Sequence, residues 1–318
     1  MPSANYPFAV GRIKIIENSL LGESKLARLG ELGYAEALKQ LNDWGFSAEY
    51  PDKTDVDALI DYRRKDIRNT VFDLTPNPEL TNLFWLEFDA INLKLLLKSR
   101  LLGGNDSIDV SALTGGVFEP SLIRDCVDTK KYEPLGEPLC ESMNEVEKRM
   151  KLSADPRVLS ALVDRAIFGY IFNSLKKNKN AFCINYFKKK ADFTNVTSLL
   201  RARALKWSAG ELSDMLIEGG SIETKSVLSG LEVPAGKLAK LFSSSEAGGE
   251  IKSALALYNS GSVNSAAESL EKALLSTVRD EKNDSFGIGP IAYYLLMGEY
   301  ECRALRRMFA KKRAAKTA

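Results

Sequence analysis

One helical stretch recurs three times along the chain, and this repeat limits the folds that the chain can adopt. The copies begin at Asp89, Asp192 and Glu301, which are 103 and 109 residues apart. Straight-chain residues dominate each copy, and Pro and Gly are absent from the interior, so each is predicted to form a helix of about three turns. The repeat predicts three similar modules that fill the chain: residues 1–105, 106–210 and 211–318.

One face of each predicted helix carries an acid near its start and a base eleven positions later, and two copies carry an asparagine between them. These side chains are Asp89, Asn92 and Arg100, then Asp192, Asn195 and Arg203, and finally Glu301 and Lys312. Acid and base lie roughly 16 Å apart along the axis, so they cannot pair within one helix. The first copy is apolar on most other faces and is expected to be buried, and a buried carboxylate needs a partner. We hypothesise that each acid binds a base or backbone donor of another module; the alternative is a helix whose charged ends lie in solvent.

The pattern between these stretches predicts further helices and no strands, because β-branched and polar residues nowhere alternate over a sustained run. The fold class is therefore predicted to be all-α. A pair of glycines, Gly115 and Gly116, recurs 104 residues later as Gly219 and Gly220. Three local predictions are more specific: Thr54 and Asp57 form a capping box, a helix covers residues 132–150, and the helix over residues 181–207 breaks near Lys190.

The composition is that of a soluble globular protein, with 45% hydrophobic and 27% charged residues. No apolar run reaches the 18 residues that a membrane span needs, and the first residues lack the basic and apolar regions of a signal peptide. The four cysteines are widely spaced and are expected to be reduced and structural. Histidine is absent, which removes the commonest general base and metal ligand.

The sequence contains no motif of a known catalytic or cofactor site. It has no GxxxxGK[ST], GxSxG, HExxH or GxGxxG pattern and no zinc-ligand spacing. The acid pairs Glu79 with Glu87 and Glu299 with Glu301 could act as acid–base dyads, but on such helices surface charge is the favoured interpretation. We therefore predict a protein that is not an enzyme, with no catalytic residues, no cofactor, no metal site and no direct ATP binding.

Basic residues are concentrated at the C-terminal end. Residues 301–318 carry a formal charge of +6 and the rest of the chain −4. The favoured interpretation is a solvated helix end; the alternatives are an acidic partner, anionic lipid or nucleic acid. Tyr186 and Phe187 precede the run Lys188-Lys189-Lys190, and we favour core packing over base stacking for these rings.

Four stretches of the chain carry a resemblance when they are taken together: residues 6–12 with 20–21, residues 88–94, residues 192–196 with 200–203, and residues 289–306. They resemble a known family, the C subunits of the bacterial and archaeal V/A-type ATPases, which are related to the d subunits of eukaryotic V-ATPases. Ala304 departs from the family, which often has asparagine there.

This resemblance implies a funnel of three helical modules around a pseudo-threefold axis. The funnel would sit on the cytoplasmic end of the membrane proteolipid (c/K) ring, receive the central stalk subunits of D and F type, and couple ATP hydrolysis or synthesis to transport of H⁺ or Na⁺. The repeated residues, together with Arg306, are then candidates for contacts between modules or with other subunits. Two other interpretations stay open: an α-helical scaffold that binds other proteins, and an RNA-associated protein that uses the basic runs.

Overall fold

The fold is all-α, as the sequence predicts. The computed structural model describes residues 5–103, 108, 113–137, 139–152 and 155–317, and within these ranges no strand is present. In the described ranges, three short 3₁₀ turns accompany the α-helices, at Glu17–Ser19, Glu133–Leu135 and Ala235–Lys237. The α-helices are α1 (Tyr6–Ile16), α2 (Gly22–Glu31), α3 (Tyr34–Asp43), α4 (Val56–Leu74), α5 (Pro78–Leu101), α6 (Pro120–Thr129), α7 (Leu139–Leu152), α8 (Pro156–Asn178), α9 (Ala181–Leu205), α10 (Ala209–Met215), α11 (Thr224–Ser229), α12 (Leu238–Leu241), α13 (Gly248–Asn259), α14 (Val263–Asp280) and α15 (Gly289–Thr317).

The chain divides into two compact units. The first contains the residues up to Thr81 and those from Val278 onward. In it, α15 packs against α1, α2, α3 and α4. Its apolar core brings Leu29, Leu41 and Ile60 together with Leu305 and Phe309 of α15, all fully buried. The last helix therefore completes the core that the first four helices begin.

The second unit runs from Asn82 to Thr277. Only two residues separate α8 from α9, and the two helices pack against each other as an antiparallel hairpin. α10, α11 and α13 pack on α9, and their apolar residues form one buried cluster around Val196 and Leu199. A long helix is thus the centre of the second unit as α15 is of the first.

Equivalent residues of the first two repeats contact each other inside the second unit. Phe84 and Phe187 lie 103 positions apart in the chain, and their ring centroids are 5.1 Å apart. Glu87 and Lys190 have the same spacing, and their side chains form an ion pair at 2.7 Å. Contact between equivalent positions is expected where two similar modules meet around a local rotation axis. The division into three modules stays a prediction, and its first boundary, after residue 105, lies outside the described residues.

Three local predictions were wrong. Asp55, and not Thr54, caps α4, because the helix begins at Val56 and the Asp55 carboxylate accepts from the N–H groups of Asp57 and Ala58. The predicted helix over residues 132–150 begins only at Leu139, after the 3₁₀ turn Glu133–Leu135 and Gly136, whose φ is +75°. α9 continues through Lys190 without a break.

Within the described part of the chain, α8 alone is long and apolar enough to cross a membrane by length and composition. Eight of its residues are buried in the protein, among them Val163, Ile167 and Ile171. Asp164 and Arg165 interrupt its apolar sequence. These features are typical of the core helix of a folded domain.

Candidate functional site

The three repeated acids are buried, and each binds two backbone N–H groups of a distant segment. For the first two acids, this segment begins the next predicted module. The Asp89 carboxylate accepts from the N–H groups of Val117 and Phe118 at 2.8 and 3.3 Å. The Asp192 carboxylate accepts from those of Ser221 and Ile222, both at 3.0 Å, and from the Ser221 hydroxyl. The alternative interpretation, in which the acids end in solvent, was therefore wrong for these two side chains.

The third acid returns to the start of the chain. Glu301 on α15 accepts from the N–H groups of Leu21 and Gly22 at 2.9 and 2.7 Å. Glu301 is 2% exposed, so the interpretation that it contributes surface charge was wrong. Glu299 is also buried and pairs with Arg64 at 3.0 Å, which corrects the same interpretation for this residue.

The two repeated asparagines bind the same segments as the acids. Asn92 donates to the carbonyl of Thr114 at 2.6 Å and accepts from its N–H at 3.0 Å. Asn195 makes the same two bonds with Ile217, both at 2.8 Å. A side-chain amide that both donates to and accepts from one residue's backbone fixes the position of that backbone. Ala304 cannot make such bonds, so the third copy lacks this contact.

The repeated bases bind backbone carbonyls that lie about ten residues after the N–H groups bound by the acid of the same repeat. Arg100 donates to the carbonyl of Val127 and also pairs with Glu147. Arg203 donates to three carbonyls, those of Gly230, Leu231 and Val233. Lys312 donates to the carbonyls of Gly30 and Leu32. None of these contacts joins a base to an acid of its own repeat.

Each acid and base together bind one short helix at its two ends. The acids of α5, α9 and α15 contact the chain at the N-terminal ends of α6, α11 and α2, and the bases contact the carbonyls at their C-terminal ends. We call each such set of contacts a clamp. A helix carries partial positive charge at its N-terminus and partial negative charge at its C-terminus, so both contacts are favourable. The bases also provide partners for carbonyls at the C-terminal ends of the short helices, which lack partners within the helix.

The recurring glycines allow the carboxylates to approach the backbone. A Cβ atom on Gly116 would lie 2.1 Å from Oδ1 of Asp89, and one on Gly220 would lie 2.1 Å from Oδ1 of Asp192. Both distances are far below van der Waals contact, so a larger residue would displace the acid. The glycine pair and the acid are thus two parts of one clamp.

The surroundings shift the pKa of the clamp acid Glu301 and that of Tyr132, which lies beside the clamp base Arg100. Burial raises the pKa of Glu301, although the N–H donors of Gly22 and Leu21 act in the opposite direction. Burial and the bond to Glu147 raise the pKa of Tyr132, whose hydroxyl donates to the same carboxylate that pairs with Arg100. Glu301 and Tyr132 therefore act as hydrogen-bond partners here: the Glu301 carboxylate holds backbone N–H groups, and the Tyr132 hydroxyl binds the Glu147 carboxylate.

The remaining predicted residues lie in ordinary surface or core positions. Arg306 pairs with Asp61 on α4, and both side chains are exposed. Tyr186 and Phe187 are buried, as the core-packing interpretation of these rings predicts, and contact Phe84. Among the described residues, no group of three or more His, Cys, Asp or Glu could hold a metal ion. The four cysteines are buried and are not joined in disulfides.

A family model described as ATP synthase (C/AC39) subunit matches residues 9–314. The chain belongs to this family. The C subunit of the A-type ATP synthase of Halorubrum lacusprofundi is 23% identical over 340 residues, which cover 99% of this chain and 96% of the relative. That of Thermococcus onnurineus is 24% identical over 328 residues, covering 95% and 84%. The C subunit of the V-type sodium ATPase of Enterococcus hirae is 21% identical over 175 residues, covering 55% and 53%.

Membership of the C/AC39 family confirms the resemblance found in the sequence and makes the chain a subunit of a rotary ATPase of this class. The stretches that carried the resemblance contain all three acids of the clamps and one of the bases, Arg203. The resemblance and the geometry therefore concern overlapping sets of residues.

Sequence reasoning missed a cluster of two ion pairs in the second unit of this C/AC39 chain. Lys94 pairs with Asp164 of α8, next to the pair of Glu87 and Lys190, around a small cavity of about 150 Å³. Burial raises the pKa of Asp164, and Lys94 acts against this shift. The spacing of 103 residues between Glu87 and Lys190 could have indicated their pair, whereas Asp164 lies outside the repeats.

Proposed function

We propose that the chain is a non-catalytic adaptor of the rotor in a V/A-type ATPase. It sits on the cytoplasmic side of the membrane against the proteolipid ring, and it receives the central stalk subunits of D and F type. In this position it transmits torque between the ATP-driven head and the ion-carrying ring. The family match over residues 9–314 is the observation that carries this proposal.

The three clamps support a mechanical role. Each of the first two repeats holds the segment that follows it, and the last repeat holds the segment near the start of the chain. A part that transmits torque must resist deformation, and buried bonds between charged groups and backbone are among the stronger hydrogen bonds in proteins. Clamps of this kind, repeated in each module, would give the funnel that the family implies its stiffness.

An exposed apolar stripe on α5 supports binding to other subunits. Ile91 and Leu95 on α5 are 48% and 41% exposed and lie about 40° apart around the helix axis, and Leu102, which directly follows α5, is 73% exposed. Single exposed apolar residues are common, but an aligned group indicates a contact surface. We assign this stripe to the contact with the ring or with the stalk.

Size-exclusion chromatography of the purified chain with solubilised proteolipid ring, and separately with the stalk pair, tests the proposal. We expect the chain to elute with each partner. The double variant Ile91→Ser with Leu95→Ser is expected to weaken one of the two complexes at least tenfold. Leu152→Ser is the control, because Leu152 is 88% exposed on a different helix and should not affect either complex.

Elution of the wild-type chain apart from both partners would contradict the proposal. The α-helical scaffold with unrelated protein partners would then be the better interpretation.

A further inference from the structure

A cleft of about 920 Å³ opens in the second unit, away from the clamp contacts of α5. One wall is formed by α8 and α9, and the other by the chain between Ser213 and Thr224. The volume lies within the range of about 300–1,000 Å³ that is typical of ligand-binding clefts. All of its lining residues belong to one compact unit, so the cleft does not depend on the arrangement of the two units.

The wall formed by residues 213–224 is held in place by the protein itself. Arg165 of α8 donates from Nε to the carbonyl of Leu216 at 2.7 Å and from a terminal nitrogen to the carbonyl of Ser213. Asn195 binds the backbone N–H and carbonyl of Ile217 in the same segment. The cleft is therefore preformed, and a ligand would not need to order it first.

Gly169 lines the cleft, and packing within the chain does not explain why this position is a glycine. It lies in the interior of α8, where glycine costs about 1 kcal/mol relative to alanine. A Cβ atom added to it would meet no atom within 4 Å. Gly219 in the same cleft differs, because its φ is +97° and a Cβ there would lie 2.4 Å from Phe172. Packing within the described chain gives no reason for glycine at position 169, and the space above it would let a molecule from outside the chain approach α8 closely.

Positive charge is spread along the whole cleft. Three basic side chains line it, Arg165, Lys176 and Lys188, against one acid, Glu218. Arg165 and Lys176 are eleven positions apart on α8, roughly 16 Å along the helix. Lys188 lies seven residues into α9, so the antiparallel hairpin places it between these two along the axis. Neither lysine has an ion pair among the described residues.

Apolar side chains lie between these charges. Phe172 and Ile184 are half-buried and line the cleft, and the buried residues Leu175 and Leu216 also contribute to its lining. α8 is thus apolar on its core face and on part of its cleft face, which explains why its composition resembles that of a membrane helix.

We propose that this cleft is a docking site for an acidic, amphipathic helix of a partner polypeptide. The apolar face of that helix would pack on Phe172 and Ile184 and pass close to Gly169, and its carboxylates would face the basic side chains on both sides. An anionic lipid would need its cations at one end of the cleft, beside the headgroup, whereas here they extend over about three turns. The proposal goes beyond the rotor function and is independent of it, because it rests on the cleft alone.

The test uses the full chain and three labelled peptides of 15 residues: an amphipathic helix with Leu and Phe on one face and Glu beside them, the same helix with Lys for Glu, and a scrambled acidic isomer. Fluorescence anisotropy is expected to show at least tenfold tighter binding of the acidic helix than of either other peptide. Gly169→Leu and the double variant Lys176→Glu with Lys188→Glu are each expected to weaken that binding at least tenfold.

Two controls separate docking from folding. Gly169→Leu should leave the melting temperature unchanged or raised, because its side chain points into open space, and Gly249→Ala on α13 should leave peptide binding unchanged. A photoreactive benzoylphenylalanine in place of Asn173, which is exposed and lines the cleft, should cross-link the acidic helix, and one in place of the exposed Asn259 should not.

Equal affinity for the three peptides, or full affinity in Gly169→Leu, would overturn the proposal. A second result would also overturn it: tight binding to phosphatidylglycerol vesicles and not to phosphatidylcholine vesicles. If that binding displaced the acidic peptide and were lost in Gly169→Leu, the occupant of the cleft would be a lipid. Failure of these tests leaves the ring and stalk binding of the rotor proposal unaffected, and the two proposals can thus fail separately.

Discussion

Asp192 illustrates how one buried side chain can organise a segment thirty residues away. Its carboxylate accepts three hydrogen bonds, two from backbone N–H groups and one from the Ser221 hydroxyl. We expect Asp192→Ala to lower the free energy of unfolding by about 3 kcal/mol, because buried donors lose a charged acceptor. Urea denaturation measures this change. Asp128→Ala removes an exposed carboxylate and is expected to stay within about 0.5 kcal/mol of wild type.

Gly220 provides a second test of the same clamp. A methyl group there would lie 2.1 Å from Oδ1 of Asp192, so Gly220→Ala is expected to destabilise the chain by about 2 kcal/mol. Gly210→Ala is the matched control within the same unit, because its Cβ would meet only the Ser208 hydroxyl oxygen at 3.9 Å. Alanine in the helix α10 is expected to be neutral or stabilising by up to about 1 kcal/mol. Equal thermal stability of the two variants would contradict the role of Gly220.

The raised pKa of Glu301 predicts how the stability of the fold changes with pH. Burial raises its pKa in the folded chain, so the folded state binds the proton more tightly than the unfolded state does. The contribution of this group to stability therefore falls as pH rises from about 4.3, the ordinary pKa of glutamate, through the raised value. Glu301→Gln removes this pH-dependent contribution, because glutamine does not titrate. It also lowers the free energy of unfolding by an amount that does not depend on pH, because one N–H group loses its carboxylate acceptor. Its stability relative to wild type is expected to increase with pH over this window, which chemical denaturation at a series of pH values can measure.

The control for this pH series is Glu246→Gln, which changes an exposed glutamate. This change of a surface side chain should alter the free energy of unfolding by no more than about 0.5 kcal/mol. A Glu301→Gln difference that stays constant or decreases with rising pH would contradict the raised pKa.

A clamp acts on a whole helix, so its two ends should be coupled. Asp192 binds the chain before α11 and Arg203 binds the carbonyls after it. We expect Arg203→Ala to lower the free energy of unfolding by about 2 kcal/mol, and the double variant Asp192→Ala with Arg203→Ala to cost less than the sum, because either change releases the same helix. Hydrogen exchange of the amides in Thr224–Ser229 should increase in each variant. Additive costs with unchanged exchange would show that the two contacts are independent.

Long helices were predictable because residues compatible with a helix continue over many turns with no proline in the interior. The predicted helix over residues 181–207 corresponds closely to α9, apart from the wrongly predicted break near Lys190. α6 was not predicted, although it follows the recurring glycine pair Gly115 and Gly116, because an isolated helix of only ten residues is marginally stable. Its ends are fixed by Asp89 and Arg100, which are distant in sequence. The ends of α6 are thus defined by tertiary contacts that its local sequence pattern does not contain.

The same limit applies to the candidate site. The acids, asparagines and bases were found because they recur, and the hypothesis that a buried acid needs a distant partner followed from desolvation. Which backbone groups they bind could not be derived, because this depends on how the helices pack. Glu299 was misjudged for the same reason: its burial beside Arg64 results from the packing of α15 on α4. The cleft beside Gly169 left no motif, because its lining residues come from segments far apart in the chain.

At the scale of the whole molecule, the family match makes the chain a subunit of a rotary ATPase, and the repeated clamps support the mechanical role that we propose for it. The clamps of α5 and α9 brace the second unit, and the clamp of α15, which returns to residues near the start of the chain, braces the first. A subunit that transmits torque requires such bracing, because any internal deformation would store the torque instead of passing it on.

The most direct test of the rotor role is the ratio of ions transported to ATP hydrolysed, measured in vesicles that contain the complete rotary ATPase with or without this chain. We predict that complexes lacking the chain still hydrolyse ATP but no longer transport ions, and that adding the wild-type chain restores transport in a fixed ratio to hydrolysis. Unchanged coupling in complexes that lack the chain would contradict its role as the adaptor between stalk and ring.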